Sequence, residues 1–365
     1  MKNLKTQGFI LIDVDVAALN NAGKSTSSNL DNGVETKKIS KNGRKYVYVS
    51  GQAWRYWWRD TLQRIFDWQL SPITREKKIA FTAANPIQFA DDDMFGYMRA
   101  AKGEQLDEKG QVMLDKKGNP KLENVTVTRI SPLKNSALIS VTSTGVVENW
   151  SSMSRQEGDA VPYTKEEYST IMKGMFAIDL EQVSTFASYN KTGFKNLTEK
   201  LRSEAIDTGA QTIDDNFVKT DKGTPQQLVR LAEKTRISRV IDTLSALKFI
   251  SGGAMQTNNM ADVTPKFIIL STMTTGNHPF SHVAINEGAY SQNFLLNVDG
   301  LEEVLKDYKN QFEGDIYLGI RNGFLDKEDT ASLNKLAEKF PSLQIMTVNE
   351  AIDAYCKQLP NQMSK

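Results

Sequence analysis

The chain has 365 residues, 39% hydrophobic and 24% charged, with 16 Phe, 11 Tyr and 5 Trp; this supplies a packed core and excludes a mainly disordered chain. A single cysteine, Cys356, excludes an internal disulfide and any cysteine-built zinc site, and two histidines, His278 and His282, leave little room for metallohydrolase or triad chemistry. The net charge of +1 hides an asymmetry, because residues 1–78 hold 14 Lys/Arg against 7 Asp/Glu and the remainder is acidic; a basic segment on a near-neutral protein points to a local polyanion site.

The apolar run at 8–18 is interrupted by Asp13 and Asp15, so it reads as a strand and not as a signal peptide. With no export signal, no spanning segment and one cysteine, a cytoplasmic location is expected. A polar loop rich in Asn, Ser and Gly follows, from Asn20 to Asn32. Asn42-Gly43 then marks a hairpin flanked by Lys37, Lys38, Lys41, Arg44 and Lys45. Ser50 caps a predicted helix from Gly51 to about Asp67, with Trp54, Trp58, Leu62 and Ile65 on one face and Gln52, Arg55, Arg59 and Gln63 on another. Residues 71–135 and 188–223 are polar and turn-rich and read as insertions. Strands are expected at 137–142, 171–180, 265–270 and 315–320, with a helix at 328–339. Thr224-Pro225 reads as the start of a long helix to about Ile250, with Arg230, Lys234, Arg236 and Arg239 on its exposed side. The whole is an α+β chain.

No familiar catalytic motif survives inspection. Ala22-Gly23-Lys24-Ser25 follows a strand, but a phosphate-binding P-loop needs a glycine where Ala18 stands, and a polar loop follows in place of a helix. The Asp91-Asp92-Asp93 triplet reads either as a Mg²⁺ site or as a solvated turn or helix start. His278 and His282 have a four-residue spacing, but Pro279 between them favours a loop over a metal-binding helix. A basic hairpin, a glycine-containing helix start and an arginine face lie in sequence between residues 37 and 59. Each reads alone as solvated surface; together they suit phosphate through charge, backbone N–H groups and forked hydrogen bonds.

The string YVSGQAWRYWWRDTL, preceded by ALNNAG and Lys37-Lys38, resembles the N-terminal core of DevR-type CRISPR-associated proteins, the backbone subunits of type I-B Cascade. The resemblance continues through ADDDMFGYM, RISPLKNSALISV, SRQEGDAVPYTKEEYS, RISRVIDTLSALKFISGGAMQ and TPKFIIL, and fades over the last 80 residues or so. It implies a modified RNA-recognition fold. A ferredoxin-like palm would be formed by residues 1–70, 136–187 and 224–365, with a finger-like insertion at 71–135 and a thumb-like one at 188–223. It implies no cofactor and no catalysis. The implied partners are CRISPR RNA, adjacent copies of the chain, other Cascade subunits, and target DNA through guide pairing. By position within the matched motifs, the implied RNA contacts are Asn20, Asn21, Gly23, Lys37, Lys38, Ser50, Gly51, Gln52, Arg55, Arg59, Arg155, Gln156, Gly252, Gly253, Ala254 and Met255. The Gly252-Gly253 pair also reads as a plain helix C-cap. Phe194 or Phe217 is the implied thumb wedge. The alternative is an endoribonuclease like the type III backbones, with Asp31 as its loop aspartate.

Overall fold

The structure, a computed structural model, describes residues 3–24, 33–76, 79–100, 102–104, 112–115, 117–124, 126–143, 145–153, 157–191, 193–288, 291 and 293–364. The first strand, Lys5–Ala17, lies at the middle of a large mixed sheet, paired antiparallel with the 19-residue strand Val161–Asp179 on one side and with Phe267–Met273 on the other. Outward from Phe267–Met273 come Ile316–Ile320 and then Leu343–Met346, which is parallel to it; outward from the long strand come Leu138–Ser140, Arg44–Val49 and Lys38–Lys41.

The uninterrupted apolar run of the first strand follows from burial on both faces. Ile10, Ile12 and Val14 point to a layer made by helices α1 (Gly51–Ile65), α4 (Glu233–Ser245) and α8 (Val348–Met363). Phe9 and Leu11 point to a second layer under α6 (Val298–Asp307) and α7 (Lys327–Lys339). The remaining helices are short: α2 (Ala90–Phe95), α3 (Glu199–Asp207) and α5 (Gln256–Asn259). Trp54 and Trp58 of α1 stack on each other, and both meet the Phe176 ring edge-on. Phe176 stands opposite Gly8 on the first strand, and its ring fills the place that a Cβ at position 8 would need.

Three sequence expectations change here. Pro225 does not open a helix: Pro225–Arg230 is a strand, placed between Thr185–Ala187 and Gln211–Lys219 in a separate three-stranded sheet. Together with α3 it encloses a small core of its own around Phe186, Leu197, Ala205 and Val229. Segment 188–223, read as turn-rich, is therefore part of a folded α/β unit that also uses residues on either side of it. Helix α4 starts only at Glu233, and the expected exposed arginine face is absent: Arg236 and Arg239 are buried. Arg236 donates to the carbonyls of Leu180 and Val183, and burial lowers its pKa to about 10.

The Asp91–Asp93 triplet opens α2 but is not solvated, since all three residues are buried. Asp91 Oδ1 accepts from Ser71 N at 3.0 Å, and Asp92 Oδ2 from Ser71 Oγ and Asn85 N, both at 2.8 Å. Asp93 is paired with Arg129 and, at 2.7 Å, with Arg239, and it accepts from Ser184 Oγ at 2.6 Å. Burial alone would raise its pKa, but the two guanidiniums and these hydrogen bonds hold it below the ordinary carboxylate value. Its stabilising effect is therefore present at neutral pH and is lost as pH falls below about 4. Asp93→Asn, which leaves two arginines without their counter-charge, is expected to cost about 3–5 kcal/mol at pH 7 in urea unfolding. The gap to wild type should narrow as the pH is lowered through the acid range.

Candidate nucleic-acid interface

Most of the implied contact residues come together at one end of the large sheet, and backbone hydrogen bonds bring them there. The carbonyl of Asn20 accepts from Lys37 N at 2.9 Å, and the carbonyl of Lys37 accepts from Tyr48 N at 3.1 Å. Asn20 Nδ2 reaches the carbonyl of Tyr48 at 3.4 Å, two residues before the cap of α1. The carbonyl of Leu19 accepts from Ala254 N at 3.0 Å, which docks the Gly252–Met255 loop beside Asn20. Four segments far apart in sequence thus meet: 19–23, 36–38, 48–52 and 252–255.

Each segment has a local reason for its shape. Asn42 and Gly43 take φ of 52° and 73°, closing the two-residue hairpin that positions Lys38–Lys41 against Arg44–Val49. Asn21–Lys24 is a short strand against Val34–Thr36, with a register shift between Asn21 and Gly23 and φ of 106° at Gly23. Asn21 and Gly23 are exposed there. Ser50 Oγ accepts from Ala53 N at 3.3 Å as the cap of α1, and no acidic residue occupies the first turn of that helix. Gly51 packs against the protein, since a Cβ on it would lie 3.2 Å from Asn135 Nδ2 and 3.3 Å from the Ser136 carbonyl. Gln52, one residue on, is exposed.

The glycine pair is more than a helix stop. A Cβ on Gly252 would enter the indole of Trp57, and one on Gly253, where φ is 113°, would lie 2.7 Å from Leu19 Cδ2. Both glycines are needed for the loop to lie flat on α1 and on the first loop. Met255 ends the turn in the left-handed region, with φ of 57°.

The basic residues divide into two kinds. Lys38 is paired with Glu166 at 2.5 Å, and the same carboxylate accepts from Thr36 N at 2.7 Å and Thr36 Oγ1 at 2.9 Å. Arg55 was expected on an open face, and the structure corrects this. Its Nη1 donates to the Leu133 carbonyl at 2.8 Å and to Asn135 Oδ1 at 2.9 Å, and its Nη2 donates to the Phe95 carbonyl at 2.7 Å and Ser131 Oγ at 2.9 Å. Burial, with Arg59 nearby, lowers its pKa to about 10. These two cations fasten strands and loops. By contrast, Lys37 and Arg59 form no ion pair among the described residues, and Arg59 lies 5.3 Å from the centroid of the Phe95 ring. Two guanidiniums therefore share one ring, and neither is paired with a carboxylate among the described residues.

Other expectations fall elsewhere. Arg155, Gln156 and Asp31 lie outside the described residues. Phe217 is 87% exposed in the small three-stranded sheet, while Phe194 is half-buried. His278 is half-buried, with Nε2 at 2.8 Å from the Gly8 carbonyl, and burial lowers its pKa. No group of three or more His, Cys, Asp or Glu side chains among the described residues could hold a metal ion. Sequence reasoning missed Glu166, whose role depends on a strand that begins ten residues earlier than its apolar pattern does.

Residues 10–293 match the family described as CRISPR-associated negative auto-regulator DevR/Csa2. Among solved structures, a chain of a "CRISPR RNA-guided surveillance complex" superposes with a TM-score of 0.52 at 10% identity, covering 97% of this chain and 99% of that one. A chain of a "CRISPR RNA-guided surveillance complex, pre-nicking" does so at 0.51 and 9% identity, with the same coverage. At such identities the likeness is one of fold. No curated protein matches the sequence.

Gly252→Ala is expected to destabilise the protein by about 1–3 kcal/mol through overpacking against Trp57. Gly23→Ala, with nothing within 4 Å of the added Cβ, should cost less despite its positive φ. Thermal unfolding followed by tryptophan fluorescence compares the two.

Proposed function

The chain belongs to the DevR/Csa2 family of CRISPR-associated proteins, and from this we propose that it is the non-catalytic backbone subunit of a type I-B Cascade surveillance complex. In this reading several copies polymerise along one CRISPR RNA. They hold its backbone while its bases pair with target DNA, and they meet other Cascade subunits at the ends. The large sheet with α1 and α4 would be the RNA-recognition palm, the segment around α2 the finger, and the small α/β unit the thumb.

The observation that carries the reading is the convergence of 19–23, 36–38, 48–52 and 252–255 on one surface. That surface presents Lys37, the exposed amide of Gln52 and the N-terminus of α1, and Arg59 lies two turns further along the same helix. These are groups for phosphate and ribose and offer no pattern specific to one base. The long unbranched anion they suit is a single strand of nucleic acid.

Lys37→Ala and Arg59→Ala are each expected to flatten the salt dependence of single-stranded RNA binding by about 0.7 in log–log slope, with similar losses on unrelated sequences. An unchanged slope in both folded variants would remove the phosphate role. RNA paired to its guide and incubated with the protein and Mg²⁺ should stay intact. Cleavage that disappears in Asp31→Ala would replace the scaffold with an endoribonuclease.

A further inference from the structure

Helix α1 carries four aromatic side chains in five residues, and three of them are buried: Trp54, Trp57 and Trp58, at 1%, 5% and 0% exposure. The fourth, Tyr56, points the other way and is 63% exposed. It has no hydrogen bond and no ring contact among the described residues. An aromatic residue at such a position loses side-chain freedom in the helix, and here burial does not offset that loss.

Its neighbours say what it could do. With 3.6 residues per turn, Gln52, Tyr56, Arg59 and Gln63 fall within about 60° of one another on the helix surface. This stripe runs from the N-terminus of α1, where the four segments converge. It is bounded on both sides. On one flank Arg55 lies over Phe95, 5.0 Å from the ring centroid, and Arg59 leans from the stripe toward the same ring, at 5.3 Å. On the other, Trp57 lies beneath Gly252 and so beneath the Gly252–Met255 loop. The stripe presents the exposed Tyr56 side chain and, about one turn further on, the half-buried Arg59 guanidinium, which forms no ion pair among the described residues although its charge is felt by the Asp91 carboxyl. Residues three apart on a helix have Cβ atoms about 5–6 Å apart. A base and the phosphate of its own nucleotide, separated by one ribose, match a spacing of that order.

We propose that Tyr56 and Arg59 form a one-nucleotide subsite, in which the tyrosine ring stacks on an unpaired base of single-stranded RNA and the arginine takes the adjoining phosphate. The proposal rests on the RNA-binding reading of this surface and adds to it a contact with a base. Stacking is tolerant of sequence because every base has a π-face. The subsite therefore discriminates a strand that carries bases from a bare ribose-phosphate backbone, and does not discriminate one base from another.

The test uses the full chain and two fluorescent probes of equal length, an oligouridylate and an abasic ribose-phosphate strand, titrated by anisotropy at several salt concentrations. Tyr56→Ala is expected to weaken oligouridylate binding about 5- to 100-fold. It should leave the abasic strand and both salt slopes unchanged, while Tyr56→Trp retains binding. Arg59→Ala should weaken both probes and flatten both slopes. Wild-type affinity for oligouridylate in Tyr56→Ala, or an equal loss on both probes, overturns the stacking role and leaves the RNA-binding reading standing. A wild-type protein that binds neither probe overturns both.

Discussion

The carboxylate of Asp93 is the point on which three parts of the molecule depend. It sits on α2, receives Arg129 from the same segment and Arg239 from α4, and takes Ser184 from the entry to the small three-stranded sheet. The two guanidiniums extend the node further: Arg129 donates to the carbonyls of Gln182 and Thr185, and Arg239 to those of Pro86 and Ile87. One negative charge thus organises two positive ones, and these in turn bind the carbonyls of Pro86, Ile87 and Gln182 in turns and of Thr185 at the start of a strand. Such an arrangement tolerates the loss of no single member, because a buried charge without its partner costs far more than the intact pair contributes. It also fixes how the α2 segment and the small α/β unit stand relative to the large sheet.

Helix α1 plays the corresponding part for the interface. Its tryptophans anchor it to the sheet, with Trp58 Nε1 donating to the Thr243 carbonyl at 2.7 Å as well as stacking on Trp54. Arg55 ties it to the α2 side, and Trp57 supports the Gly252 loop. The helix commits its other sides to these neighbours, and the side that carries Gln52 and Tyr56 is exposed. This explains why charged residues of similar appearance in the sequence play different parts. Lys38 and Arg55 hold the frame, while Lys37 and Arg59, one residue and one turn away, form no ion pair among the described residues.

The elements legible from sequence were those whose signal is local. The Asn42-Gly43 turn, the Ser50 cap and the Trp54, Trp58 and Leu62 spacing of α1 each act over a few residues, and each is found in place, whereas Ile65, expected on the same face, is exposed at the helix end. The strand at Pro225–Arg230 was hidden because its partners, Thr185–Ala187 and Gln211–Lys219, lie far off in sequence, and a Thr-Pro pair before an apolar stretch also suits a helix start. The N-terminal half of Val161–Asp179 was hidden for a related reason: its Lys and Glu side chains belong to a ribbon that extends beyond the core, so they carry no apolar alternation. Helix α8 was overlooked although it covers one layer of the sheet, and here a local signal did exist. Thr347 and Glu350 form a reciprocal capping box at its start. Of the interface, the residue types were legible and their division into frame and surface was not. That division depends on Glu166, Asn135 and Ser131, which only the fold brings near.

A surface built in this way has a physical consequence for the kind of ligand it suits. Its shape is set by main-chain hydrogen bonds in which Ala254, Lys37 and Tyr48 donate to Leu19, Asn20 and Lys37, so the spacing between its contact groups is fixed by the fold. Fixed spacing, with an exposed amide and two cations that form no ion pair among the described residues, favours a ligand whose charges repeat regularly. It contributes little to reading a base edge, which needs side chains poised to form paired hydrogen bonds in one plane. On the proposed reading, sequence information is left wholly to pairing between guide and target, and the protein supplies register. The acidic remainder of the chain then has a part as well: away from the basic segment it disfavours RNA, which helps confine the strand to the one surface organised to hold it.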